Sequence, residues 1–252
     1  MNSGRLLLVP NTLDHGGEAQ PIDAVIARGV LQQAAALQHW AVEDARSARA
    51  FLKRVNDCVP LATPLQQIDI QELPRPRKGS REGVDPAQWA RLLQPALQGH
   101  DLGLLSEAGL PAVADPGSAL VAAAHAAGLA VLPLAGASSL LLALAASGLN
   151  GQSFAFVGYL PQEPEGRVRR LRELETLSRQ GQQTQLFIET PYRNAALAAA
   201  LLATLQPQTK LSISSGLTLP GGWSRTLTVA QWRRSPPALS DRLPAVFALL
   251  AG

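Results

Sequence analysis

Two segments combine small residues with hydrogen-bonding groups in a way that can do chemistry. One is Ser106-Glu107-Ala108-Gly109-Leu110-Pro111, which runs through Val113 and Ala114 to Asp115-Pro116-Gly117; the other is Pro133-Leu134-Ala135-Gly136-Ala137-Ser138. Small side chains let a ligand approach the backbone closely, so its N–H and C=O groups can read a small molecule. The carboxylates that could act as a general base are Glu107, Asp115 and Glu43, with Asp44 and Glu189 behind them. Each except Glu107 also has a structural reading. Glu43 and Asp44 precede Arg46 and an apolar helical register, where a carboxylate caps a helix. Glu189 stands four residues before Arg193, the spacing of an ion pair. Asp115, before Pro116 and Gly117, can organise a turn.

Other chemistries lack their residues. There is no glycine-rich dinucleotide fingerprint, no Gly-Lys-Ser/Thr phosphate loop and no His-Glu-x-x-His. Ser138 is followed by Ser139 and Leu140, so it is no nucleophile elbow. The 4 histidines lack ligand spacing, and Cys58 is the single cysteine, so no metal site and no internal disulfide is expected.

The elements that must position these loops follow from the apolar pattern. Residues 101–105 and 129–134 read as strands, the second buried on both faces because it does not alternate. Ser118 is expected to cap the helix that Gly128 ends, and a helix over 139–146 stops at Gly148. This β-loop-α-β-loop-α order implies a parallel sheet, with the two candidate loops at the carboxyl ends of adjacent strands. Upstream, a strand over 5–9, a helix over 22–37, a strand over 39–42 and a helix from Asp44 to Val55 repeat the pattern. Residues 64–86 read as a mobile basic loop carrying Arg75, Arg77, Lys78 and Arg81. Downstream, strands over 154–159, 185–189, 211–214, 226–229 and 245–249, with helices over 167–178 and 192–205, suggest a mixed sheet. The expected fold class is therefore α/β with two domains: 1–135 around a mostly parallel sheet, 136–252 around a mixed one.

Composition agrees with a packed globular protein. Of 252 residues, 46% are hydrophobic and 16% charged, and the net charge of +3 is compatible with RNA without requiring it. From Pro116 to Gln162 only His125 breaks a run free of charge. Pro133, Gly136, Ser138, Ser139 and Ser147 cut that run into pieces of strand and helix length, which argues against a membrane span. The opening apolar run is too short for a signal peptide, so a cytoplasmic location is expected. Tyr159, Trp223 and Trp232, with Arg225, Arg233 and Arg234 nearby, could stack on a base, though ordinary interface or core packing is the favoured reading.

The ordered motifs resemble one family. Ser106–Pro111 followed by Asp115-Pro116-Gly117 resembles the Ser-Asp-Ala-Gly-Thr-Pro…Asp-Pro-Gly signature of the tetrapyrrole-methylase-like (class III) S-adenosylmethionine (SAM)-dependent methyltransferases. Leu8-Val9-Pro10, Glu43-Asp44-Ala45-Arg46, Pro133–Ser138, Gly158-Tyr159-Leu160-Pro161 and Glu189-Thr190-Pro191-Tyr192-Arg193 match further family segments in order. Within the family, the chain is most similar to the small-subunit rRNA cytidine 2′-O-ribose methyltransferases. The resemblance implies SAM as cofactor, S-adenosylhomocysteine as product, and a cleft between the two domains. It implies cofactor contacts from Pro10, Ser106, Glu107, Ala108, Gly109, Pro111, Val113, Ala114, Asp115, Ala137, Ser138, Tyr159, Leu160, Glu189 and Thr190. It also implies a homodimer acting on ribosomal RNA or the small ribosomal subunit. A tetrapyrrole or other small acceptor, or a non-catalytic SAM- or RNA-binding homologue, are the alternatives. The family's Gly-Asn-Leu-x-Asp has no clean counterpart in residues 11–17, and its His-x-His-Asn has none in 62–72. Its Arg-Glu-Leu-Thr-Lys is replaced by Ser215-Gly216-Leu217-Thr218-Leu219, and its Lys-Gly-Glu by Arg242-Leu243-Pro244.

Overall fold

A computed structural model describes residues 3–14, 20–75 and 84–252. The chain divides into two compact units, Met1–Ser138 and Ser139–Gly252.

The first unit is built on five parallel strands: β1 (Arg5–Leu8), β2 (His39–Val42), β3 (Asp69–Glu72), β4 (Leu102–Leu105) and β5 (Ala130–Pro133), in the order β3-β2-β4-β1-β5. Parallel strands need crossovers, and here helices cover both faces. Leu7, Trp40, Val42 and Leu105 pack with α1 (Arg28–Ala36) and α2 (Ala45–Cys58) on one face. Leu6, Ala41, Leu102 and Leu104 pack on the other with α3 (Pro86–Leu92), α4 (Gln94–Leu97) and α5 (Ser118–Ala126). After β1 the chain moves to one side of the sheet, and after β4 to the other. The carboxyl ends of these neighbours therefore form a topological switch point, where open α/β sheets bind ligands.

Several sequence expectations are corrected here. β4 and β5 are not adjacent: β1 lies between them, so the two candidate loops flank the end of β1. β5 is an edge strand with Ala130 and Pro133 exposed, not a doubly covered one. The expected helix over 22–37 is a 3-10 turn, Ile22–Ala24, and then α1, separated by extended backbone at Ala27. Ser118 does not cap α5. Gly117 holds that position at φ 129°, which only glycine adopts readily, and no side chain caps the helix. The 64–86 segment contains a 3-10 turn, Leu65–Gln67, and strand β3. That strand was hidden because an exposed edge needs no apolar run; it pairs with β2 through the backbone ladder, and the His39 ring meets the Asp69 carboxylate at 3.3 Å across the two strands. Arg77, Lys78 and Arg81 lie outside the described residues.

The second unit opens with α6 (Ser139–Ser147), followed by β6 (Phe154–Tyr159), α7 (Pro164–Gly181), β7 (Thr184–Glu189), α8 (Asn194–Thr204), β8 (Lys210–Ser215), β9 (Trp223–Thr228), α9 (Val229–Arg234) and β10 (Ala245–Leu250). Its sheet runs β6-β7-β10-β8-β9, with only β6 and β7 parallel. α7, α8 and α9 bury Leu171, Leu201 and Trp232 against Phe187, Ile213 and Phe247 on one face, and α6 covers Leu186, Val246 and Ala248 on the other. Val229, expected at a strand end, instead begins α9, because Thr228 and Gln231 form a reciprocal capping box. Among the described residues no helix is long and apolar enough to cross a membrane.

Candidate functional site

The chain leaves β1 into a buried turn, and that turn organises the site. Asn11 N–H donates to Gly109 O at 2.8 Å, and Gly109 N–H returns a bond to Thr12 O at 3.3 Å. The Asn11 carboxamide donates both protons, to Ser106 O at 3.1 Å and Glu107 O at 3.0 Å. Its oxygen accepts from Thr12 N–H at 2.8 Å. Arg54 of α2 then fixes the turn from behind. It pairs with Asp14 at 3.1 Å and 3.2 Å, and it reaches Thr12 Oγ1 and Gln20 O. Asn11 is not among the expected site residues, because residues 11–17 have no clean counterpart in the family's segment. A buried amide directly after a strand-ending Pro10 was the available signal.

The loop that Asn11 holds departs from ordinary backbone conformations. Gly109, Ala112, Ala114 and Gly117 all have positive φ, at 67°, 64°, 64° and 129°. For the two alanines this costs roughly 1–2 kcal/mol each, which the surrounding hydrogen bonds must offset. The third segment closes in from β5. A Cβ at Gly136 would overlap the Pro10 ring, and one at Gly109 would meet Leu13 at 3.3 Å and Ala137 O at 3.5 Å. Three chain segments thus approach one another closely, with no room for a side chain at Gly136 and a positive φ at Gly109. Val113 is 44% exposed at the rim, whereas Ser106 and Ser138 are buried.

The three carboxylates singled out above meet at this edge. Glu43 N–H donates to Leu105 O, and its Oε2 accepts from Glu107 N–H at 3.1 Å. Burial, with the charges of Glu43 and Glu107, pushes the Asp115 carboxyl up to about 6, although the Ser106 hydroxyl opposes the shift. Asp44 takes the capping role: its Oδ1 accepts from Ser47 N–H at 2.7 Å, and that bond holds its carboxyl below the ordinary value. Arg75 donates to Glu43 O at 3.1 Å.

The remaining expected residues belong to the second unit. Tyr159, 58% exposed, and buried Leu160 end β6; Glu189 and Thr190 end its parallel neighbour β7. Burial alone would raise the Glu189 carboxyl. Hydrogen bonds from Arg193 at 2.8 Å and 3.0 Å and from Thr190 N–H outweigh it and leave the carboxyl below its ordinary value. Glu189 is thus an anchored anion, as its spacing to Arg193 allowed. Trp232 is core: it is 2% exposed and donates Nε1–H to Leu211 O, so it has no free face for a base. Arg233 is spent on the end of α8, donating to Leu202 O and Leu205 O. Among the described residues no group of three or more His, Cys, Asp or Glu is placed to hold a metal.

A parallel sheet with helices on both faces, whose carboxyl edge gathers small-residue loops and three carboxylates, followed by a mixed sheet, defines an α/β protein of two units. The chain belongs to the Tetrapyrrole (Corrin/Porphyrin) Methylases, whose family model matches residues 24–230. Curated relatives named Ribosomal RNA small subunit methyltransferase I are 40% identical over 103 residues in Halalkalibacterium halodurans and 42% over 105 in Xylella fastidiosa. The Vibrio cholerae relative of that name is 35% identical over 127 residues. These matches cover 41%, 42% and 50% of this chain but only 34%, 37% and 43% of the relatives, so less than half of each relative is spanned. In fold, the chain resembles the methyltransferase CobJ, with a TM-score of 0.59 at 16% identity, covering 99% of this chain and 100% of that one. It also resembles a Thermus thermophilus uroporphyrin-III C-methyltransferase complexed with S-adenosylhomocysteine, with a TM-score of 0.50 at 18% identity over 98% and 97% of the chains.

Proposed function

We propose that this chain is a SAM-dependent methyltransferase that releases S-adenosylhomocysteine and methylates a ribose hydroxyl of small-subunit ribosomal RNA. The observation that carries the reading is the convergence of the Asn11, 106–117 and 133–138 segments at the switch point, where Gly136 has no space for a side chain and Gly109 holds a positive φ. The relatives' names support the acceptor, and the family supports the cofactor.

The residues present fit such a cofactor. Peptide groups of Ser106, Ala108, Ala137 and Ser138 offer donors and acceptors for a nucleoside, Val113 an apolar surface, and Glu107 an acceptor for hydroxyls, while Gly109 is bonded to the turn after β1. When bound, SAM supplies an electrophilic methyl group on a sulfonium. The protein has to exclude water, align the acceptor and take up a proton. Asp115 suits the last task. A carboxyl at about 6 is ionised at neutral pH yet more basic than an ordinary aspartate. Glu43, held by Glu107 N–H, sustains that basicity electrostatically.

A labelled-methyl assay on small ribosomal subunits from a strain lacking the modification tests this directly. Label in a ribose of the small-subunit RNA is expected. Label only on a uroporphyrinogen-type acceptor would move the chain to the tetrapyrrole enzymes. A second reading has its own support: Ser215-Gly216-Leu217-Thr218-Leu219 lacks the family's charged side chains. Under it, S-adenosylhomocysteine binds but no methyl is transferred to either acceptor. The same proposal carries a homodimer, read by light scattering, and a cytoplasmic location, read by fractionation.

A further inference from the structure

Charge is divided unequally between the two units. Residues 1–138 hold eleven basic and thirteen acidic side chains, whereas residues 139–252 hold eleven basic and six acidic ones, or −2 against +5 with histidine neutral. Most of the second unit's arginines are occupied internally. Arg167 donates to Pro161 O and Gln162 O, Arg170 pairs with Glu173, and Arg179 reaches Gly252 O. Arg193 pairs with Glu189, Arg225 lies over Trp232, and Arg233 caps α8. Arg169 and Arg172, like Arg234 and Arg242, are not so occupied. Both are exposed, neither has an ion-pair partner among the described residues, and they stand one turn apart on α7. Together with Pro164, Glu165 and Val168 they line an open groove of about 540 Å³.

Two like charges at i and i+3 repel by a few tenths of a kcal/mol, and Glu165, four residues before Arg169, does not reach it. The arrangement is therefore slightly unfavourable alone and favourable once an anion bridges both guanidiniums, whose planar forks suit phosphate. We infer that the α7 groove at Arg169 and Arg172 is a docking surface for the phosphate backbone of single-stranded RNA. This rests on the RNA reading of the acceptor and adds where the polynucleotide is gripped. The contact is to phosphate, so it confers affinity and salt dependence without sequence preference.

Anisotropy of a fluorescein-labelled oligouridylate, titrated with the whole protein across a salt series, tests it. R169A/R172A is expected to lower affinity about tenfold at low ionic strength and to make the slope of log K against log salt shallower by about 1.4. R170A, whose side chain is already paired, should change little. E165Q removes the groove's one carboxylate and should tighten binding about twofold, an effect that cannot arise from misfolding. Unchanged affinity and slope in both the double variant and E165Q would overturn the inference. So would binding of wild type to phosphatidylserine vesicles but not to the oligouridylate. If wild type binds RNA through these arginines yet transfers no label to ribosomal subunits, the surface stands and the enzymatic reading falls.

Discussion

The two sheets treat their polar strand ends differently. In the first unit every pairing is parallel, so the loops after β1, β2, β4 and β5 all emerge at one edge. Polar groups collect there, and the result is Asn11, Glu43, Glu107 and Asp115 at one edge, with three carboxylates close enough for two of them to raise the pKa of the third. In the second unit three of four pairings are antiparallel, which splits the loops between two edges. Its two buried carboxylates are used in construction. Glu175 accepts from Gln206 N–H and Thr209 Oγ1, and Glu189 from Arg193. Strand direction thus sets how many carboxylates share one edge.

That contrast predicts unequal effects of similar substitutions. Asp115→Asn should have the largest, lowering methyl transfer about 10²- to 10⁴-fold while S-adenosylhomocysteine affinity stays nearly constant. In wild type the rate should rise through pH 6 as the carboxyl ionises, and in the variant that limb should vanish. Stability provides the opposite sign. The Asp115 carboxyl lies above its ordinary 3.8, so the folded protein holds a proton between pH 3.8 and about 6 that the unfolded chain has lost. Its contribution is complete below that window and disappears as pH rises through 6. Asp115→Asn should therefore be more stable at pH 8, by about 1 kcal/mol after allowing for partial solvent screening.

Asn11→Ala comes next. It strips two buried carbonyls of their donor and frees the 106–117 loop, so a loss of about 2–3 kcal/mol in urea unfolding is expected, together with weaker cofactor binding. Equal loss of stability with intact binding would mean the loop is held by other contacts. Glu189→Gln should be smallest for chemistry. It weakens the Arg193 pair and costs about 1–2 kcal/mol at neutral pH, read as a lower Tm. The Glu189 carboxyl sits below its ordinary value, so this stability is present above the ordinary pKa and is lost as pH falls; wild type and variant should converge in acid.

The legible parts of the sequence were those where one residue type has one use. Gly128 and Gly148 end helices at positive φ, and the apolar strands β1, β2 and β4 stand where expected. The spacing of Glu189 and Arg193 foretold their pair. What stayed hidden depends on long-range pairing. The strand order that puts β1 between β4 and β5 is set by crossovers, and β3 draws its place from its pairing with β2. Asn11 illustrates the same limit, since its partners lie 95 and 96 residues away.

Hydrogen exchange with and without saturating S-adenosylhomocysteine bears most directly on the first unit as a cofactor site. Slowed exchange confined to the turn after β1, residues 106–117 and residues 133–138, with β3 and α7 unchanged, is the predicted result. An exchange pattern unaltered at those three segments would contradict it.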